Sequence, residues 1–343
     1  MIRFRPRRRA VLAVTVLATA LPFVSAVRPT QPAAAEPARA PSHVRITTAY
    51  ELPGTKVYPE GITVDPYTGD LYAGSYEDGT IFRMTPGRRV AERFLPAGAD
   101  GRTKALGLKV DRARRLWAIS ADTGVAVYDL RSRRLLARFD IAGQDAHLVN
   151  DLAIAPDGSA YLTDSLRAVV YRVTPRRLAW VRRHGGHAPL TPAFDLSGVV
   201  EPHEPGTVTL NGIVADRSGR FLLVVDMTGG DLFRVDLFTR GVHKLSLDGG
   251  DLRYADGMEL RHGTLWVAHA NPTANSISRW RITRDGRSAR AERRVTDQAL
   301  QLPTTLVRAD GTLYVVRSQL DKGGPVGQGT PQTPFTIASV HGL

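Results

Sequence analysis

Four residues define the chemistry open to this chain: Glu60, Asn150, Asn211 and Asp256. Each stands two places before the first apolar residue of a short alternating run, at Ile62, Leu152, Ile213 and Met258. Three are followed by glycine (Gly61, Gly212 and Gly257) and one by an acid, Asp151. Taken singly, Glu-Gly, Asn-Gly and Asp-Gly are turn dipeptides. A register shared by four distant segments argues for more, because turn chemistry has no need of glutamate at one of them. Two carboxylates and two amides supply four hard oxygen donors. That set suits Ca2+ better than zinc or copper, with Mn2+, Mg2+ and Zn2+ as the other divalent candidates.

Such a site needs elements that bring distant segments together, and the chain repeats one. The stretch "LVNDLAIAPDGSAYLTDS" (148–165) has counterparts at 58–75, 104–120, 210–226, 255–270 and 303–318. Each joins an alternating apolar run, a Gly- or Asp-containing turn and a second run with a large apolar residue near its start. Aligning Tyr72, Trp117, Tyr161, Leu222, Trp266 and Tyr314 gives separations of 45, 44, 61, 44 and 48. A period near 45 with room for four strands predicts propeller blades. Six copies predict an all-β, six-bladed propeller over residues 42–343. The segments 42–52 and 334–342 read as N- and C-terminal strands that share the last blade and close the ring, removing exposed sheet edges. Inner strands line a propeller's channel, so the four oxygen-bearing residues converge at one mouth. Blades two and six offer Leu106 and Thr304 at the same place. The long interval contains a proline- and glycine-rich insertion, 176–207, read as a lid or a surface loop. Its His184 and His187 read as exposed loop residues.

Composition narrows the function classes. Residues 1–40 contribute +6 of the formal +13, leaving scattered arginines and no aromatic-basic stripe. A nucleic-acid partner is therefore not expected. Residues 1–26 read as a signal peptide, with a basic start, an apolar stretch and small residues at its end. Residues 27–41 read as a Pro/Ala-rich linker. Arg8-Arg9 also fits a twin-arginine signal, so either the Sec or the twin-arginine route would deliver the protein outside the cell or to its envelope, with no stable membrane anchor after cleavage. No cysteine is present, which excludes disulfides, thiolate catalysis and thiolate metal sites. A closed ring without free edges predicts a monomer.

The segments "PEGITVD", "VNDLAIAPDGSAYLTDS", "LNGIVADRSGRFLLVVD" and "ADGMEL" resemble repeats of the SMP-30/gluconolactonase/LRE-like family of six-bladed propellers. The resemblance implies that Glu60, Asn211 and Asp256 bind one divalent metal, with Asn150 a ligand or near-ligand. It also implies that Asp256 takes a proton from a metal-activated water. Sugar-lactone members carry an arginine two places before the first asparagine; here Leu148 stands there, beside His147. Leucine cannot hydrogen-bond to hydroxyl groups, which argues against a polyhydroxylated sugar lactone. His147, Leu148 and Tyr254 are the candidate substrate contacts, with packing the other reading of Tyr254. His147 and His269 read either as further bases or as hydrogen-bonded channel or surface histidines. Asp164 and Asp226 read as strand-end caps. The expected function is a metal-dependent hydrolase of a small lactone or related ester. Its rival is a non-catalytic exported propeller that binds a cell-envelope glycan, peptide or protein around a structural metal. A thinner third reading is a cyclisation or condensation, as in strictosidine-synthase-like relatives.

Overall fold

The computed structural model describes residues 43–143 and 145–343; the predicted signal peptide and linker lie outside them. Six sheets, each built on four antiparallel strands, form the blades of a propeller, and two of them gain a parallel fifth strand. The inner strands are Pro59–Val64, Ala105–Val110, Val149–Ile154, Leu210–Ala215, Ala255–Arg261 and Leu306–Ala309. Closure follows the expected plan. In blade six the C-terminal strand Phe335–His341 is the third strand and the N-terminal Arg45–Leu52 the fourth, paired from Arg45↔His341 to Leu52↔Phe335.

The sequence alternation is explained by the seams between blades. Six apolar clusters form, each shared by two neighbouring blades. Between blades two and three, Leu106, Trp117 and Val127 meet Leu152, Leu162 and Tyr171. A blade's inner strands are covered on both faces, so Phe221–Asp226 is buried throughout its length. Such strands read as continuous apolar runs rather than strict alternation.

The 176–207 stretch differs from the expected lid or loop. It opens with a helix, Pro175–Arg183, whose N-cap Thr174 accepts a hydrogen bond from Arg177 N at 3.0 Å. Proline begins the helix, where its missing N–H costs nothing. Leu178 and Val181, three apart on one face, are buried in the seam between blades two and three. Pro192–Asp195 then supplies the outer strand of blade three, and His187–Pro189 adds a parallel fifth strand to blade two. Only residues 196–207 of this stretch run along the face where the inner strands begin. The longer segment on that face is 317–334, between the second and third strands of blade six. No helix among the described residues is long and apolar enough to cross a membrane.

Candidate metal centre

A β-bulge, rather than a turn, presents each candidate residue. Between the pairs Pro59↔Ser75 and Ile62↔Ala73 the inner strand carries one residue more than its neighbour. The same slip occurs at Leu106, Asn150, Asn211 and Asp256. A bulge sets two residues against one and re-aims a side chain. Blade six pairs regularly from Leu306↔Val315, and Thr304 lies just before that ladder.

The glycine after each bulged residue answers to the neighbouring blade. A Cβ on Gly61 would lie 2.2 Å from the Leu106 carbonyl oxygen, and one on Gly212 2.1 Å from that of Asp256. On Gly107 it would stand 2.8 Å from Asn150 O. Backbone of one blade thus sits where a side chain would project from the last. Hydrogen bonds complete the circuit. Gly257 N donates to Thr304 O, Thr304 Oγ1 to Glu60 O at 2.8 Å, and Thr163 Oγ1 to Asn211 O at 2.8 Å. In blade three the glycine is replaced by Asp151, whose carboxylate accepts from Leu152 N and, across the seam, from Ile213 N.

Glu60, Asn150, Asn211 and Asp256 are all buried. Burial, then the nearby Asp256 and Asp151 carboxylates, holds the Glu60 carboxyl well above its ordinary range. Burial and then Asp151 do the same to Asp256, opposed by a hydrogen bond from Asn211. Asp151 is raised by its own burial, against the pull of Lys109 and two backbone N–H groups. Three carboxyl groups therefore share a buried site with no cationic side chain ion-paired to any of them among the described residues.

Two oxygens in this place lack partners: Glu60 Oε2 and Asn211 Oδ1 are buried without a hydrogen bond. Such orphans carry a real penalty and point to an ion or water as their partner. The amide nitrogens are already committed, Asn150 Nδ2 to Ser165 Oγ at 3.0 Å and Asn211 Nδ2 to Met227 Sδ at 3.2 Å. The oxygens are what remain for a ligand. The residues fit a hard divalent cation. The described residues hold no cluster of three or more His, Cys, Asp or Glu with metal-binding geometry, so the site depends on its amides.

The other expected residues are placed differently. Both ring nitrogens of His147 lie against backbone carbonyls, Asp145 O at 3.0 Å and Asp122 O at 3.2 Å. Leu148 packs against the seam of blades two and three. Tyr254 is half-exposed, two residues before Asp256, in the left-handed region at φ 60°. Sequence reasoning missed its counterpart Tyr58, two before Glu60 with φ 43°, whose hydroxyl donates to Lys322 O at 3.2 Å. His269 is fully buried between Arg253 O, Ser278 Oγ and the Arg294 guanidinium. Burial, then Arg294, pushes its pKa down to about 4, so it is a neutral structural group. Asp164 and Asp226 cap strand ends by accepting backbone N–H groups, and Asp226 also binds His203 at 2.8 Å. His184 stacks on Trp180, whereas His187 pairs with Asp140, so the two do not form a metal pair.

The sequence profile of the SMP-30/Gluconolactonase/LRE-like region matches residues 58–307, which include all four bulged candidates. The chain belongs to this family. None of the curated proteins matches it by sequence. Among solved structures, a gluconolactonase from Xanthomonas campestris aligns at 16% identity and a TM-score of 0.58, over 87% of this chain and 89% of that one. Virginiamycin B lyase from Staphylococcus aureus gives 12%, 0.54, 87% and 99%. The Malassezia sympodialis allergen Mala s 1 gives 15%, 0.59, 83% and 93%. At these identities the likeness is one of fold, and a lactonase, a lyase and an allergen share it. Family membership supports a lactonase-like propeller; the bulged residues are what this SMP-30/gluconolactonase-like chain brings to that frame.

Proposed function

We propose that this family member is an exported, divalent-metal-dependent hydrolase of a lactone or related ester, with Glu60, Asn211 and Asp256 as metal ligands and Asn150 completing or flanking the set. The observation that carries the reading is the pair of orphaned oxygens, Glu60 Oε2 and Asn211 Oδ1, set beside mutually repelling buried carboxyl groups. When bound, a divalent cation would polarise the scissile carbonyl and lower the pKa of a water. Ca2+ is the ion that the oxygen donors suit best. Asp256 accepts the proton of the attacking water as oxygen adds to the carbonyl carbon, and returns it to the departing alkoxide as the ester C–O bond breaks. Asn150, its nitrogen held by Ser165, presents its oxygen to the ion or the substrate. Leu148 and Tyr254 are the proposed contacts for a substrate's body, and a leucine there would favour one with few hydroxyls.

A competing reading, a non-catalytic binder with a structural metal, draws on the same residues. The backbones of Glu60, Asn211 and Asp256 take part in the contacts that chain blade to blade. One experiment separates the two: the mature protein is assayed on a panel of lactones and aryl esters, with and without chelator, alongside metal analysis. Turnover that disappears with chelator and with Asp256→Ala supports the hydrolase. A silent panel with a retained metal favours the binder.

A further inference from the structure

Many of the arginines that are scattered in the sequence stand on the face opposite the metal centre. That face carries the hairpin turns between first and second strands and between third and fourth. Exposed Arg112, Arg131, Arg134 and Arg287 stand on those turns, none of them ion-paired among the described residues. Between blades four and five the same face opens into a cavity of about 510 Å3, within the roughly 300–1,000 Å3 range of small-ligand pockets. Its floor is apolar, made by Phe221, Leu260 and Ile282. Its rim carries Arg217, Arg220 and Arg284.

These three guanidiniums have no carboxylate within ion-pairing distance among the described residues. Arg217 Nη1 donates to His262 Nε2 at 3.0 Å; Arg220 donates to Ser218 Oγ at 2.8 Å and to Arg284 O at 3.1 Å. Neutral acceptors thus hold the first two in place without cancelling their charge. One acid, Asp216, also lines the cavity, and each acid nearby has partners of its own. Asp216 accepts from Ser218 Oγ and Arg220 N, Asp285 from Thr283 and Arg287 N, and Glu292 from Arg279 and Arg281. Held, unpaired guanidiniums above an apolar floor match a ligand with an anionic head and a hydrocarbon body. A bare inorganic anion would leave the floor uncovered, and a neutral apolar molecule would leave the rim without a partner.

We propose that this cavity is a binding site for a small amphipathic anion, separate from the metal centre and independent of the hydrolase reading. The arginine-rich turns around it raise the local concentration of such ligands. The test is calorimetric titration of the mature protein with octanoate and octyl phosphate, with acetate, sulfate and octanol as controls. Saturable one-to-one binding of either amphiphile is expected, weakened at least 10-fold in Arg217→Gln/Arg220→Gln and unchanged in Glu60→Gln. Comparison of the two amphiphiles identifies the preferred head group. Equal binding of sulfate, insensitivity to the arginine substitutions, or loss of binding in Glu60→Gln would overturn the proposal. The substituted arginines are exposed, and a thermal melt of each variant shows that it is folded.

Discussion

Blades two and three make the same bulge at the same point of the ring and use it for opposite ends. In blade two it presents Leu106 followed by Gly107; in blade three it presents Asn150 followed by Asp151. Leu106 belongs to the apolar seam between these blades. Asn150 is instead held by Ser165, whose hydroxyl donates in turn to Leu210 O. The backbone device is therefore common property of the repeat, and chemistry enters only through the side chain hung on it. Around the mouth, blades one, three, four and five bring oxygen, whereas blade two brings hydrocarbon and blade six a threonine whose hydroxyl is spent on Glu60 O.

Substituting across that divide gives the largest expected effect. Asp256→Ala lowers kcat/KM for a hydrolysed ester by about 10^2–10^4-fold, the range for losing a general base. Leu106→Ala leaves kcat within a few-fold while costing about 2–5 kcal/mol of stability. Steady-state kinetics and urea unfolding on both variants check the contrast, and equal catalytic losses would erase it.

Next in size is the packing of one bulge against the following blade. Gly212→Ala forces a methyl into the space of Asp256 O and should cost about 1–3 kcal/mol, as overpacking does. Gly198, with nothing within 4 Å of an added Cβ, tolerates alanine. Denaturant midpoints read the difference directly, and a neutral Gly212→Ala would refute the close-approach account.

The subtlest effect is a pH dependence confined to the oxygen-bearing side. Glu60, Asp151 and Asp256 have folded pKa values raised above the unfolded ones. Above the ordinary carboxylate range the metal-free fold still holds protons that the unfolded chain has released. Its stability therefore falls as pH rises, by up to about 1.4 kcal/mol per pH unit for each such group. A bound cation favours the ionised forms and removes that loss. The rise in Tm on adding Ca2+ should then be larger at pH 7.5 than at pH 5. A rise of equal size at both would argue against ligation by these carboxylates.

Much of this was legible before any coordinates. The six hairpins, their spacing and the terminal strands shared by blade six could be read because every blade buries the same two faces and so repeats the same apolar pattern. The shared register of Glu60, Asn150, Asn211 and Asp256 was visible too. The bulge was hidden, since X-Gly at a strand start reads equally as a turn. The surroundings of His147 and His269 were hidden too, because sequence does not record the carbonyls and the arginine beside them. The helix at Pro175–Arg183 was missed despite its Thr-Pro start, its apolar face being only two residues wide.

What the amino-acid order determined by itself was the wheel: periodic burial specifies strands, and strands with two covered faces specify blades. What only the tertiary structure decided was which atoms are left without partners. Orphaned oxygens at the channel and unpaired guanidiniums on the far face arise from contacts between distant segments. A hydrogen bond or ion pair depends on positions in space, and proximity of that kind is not written in any local stretch of the chain.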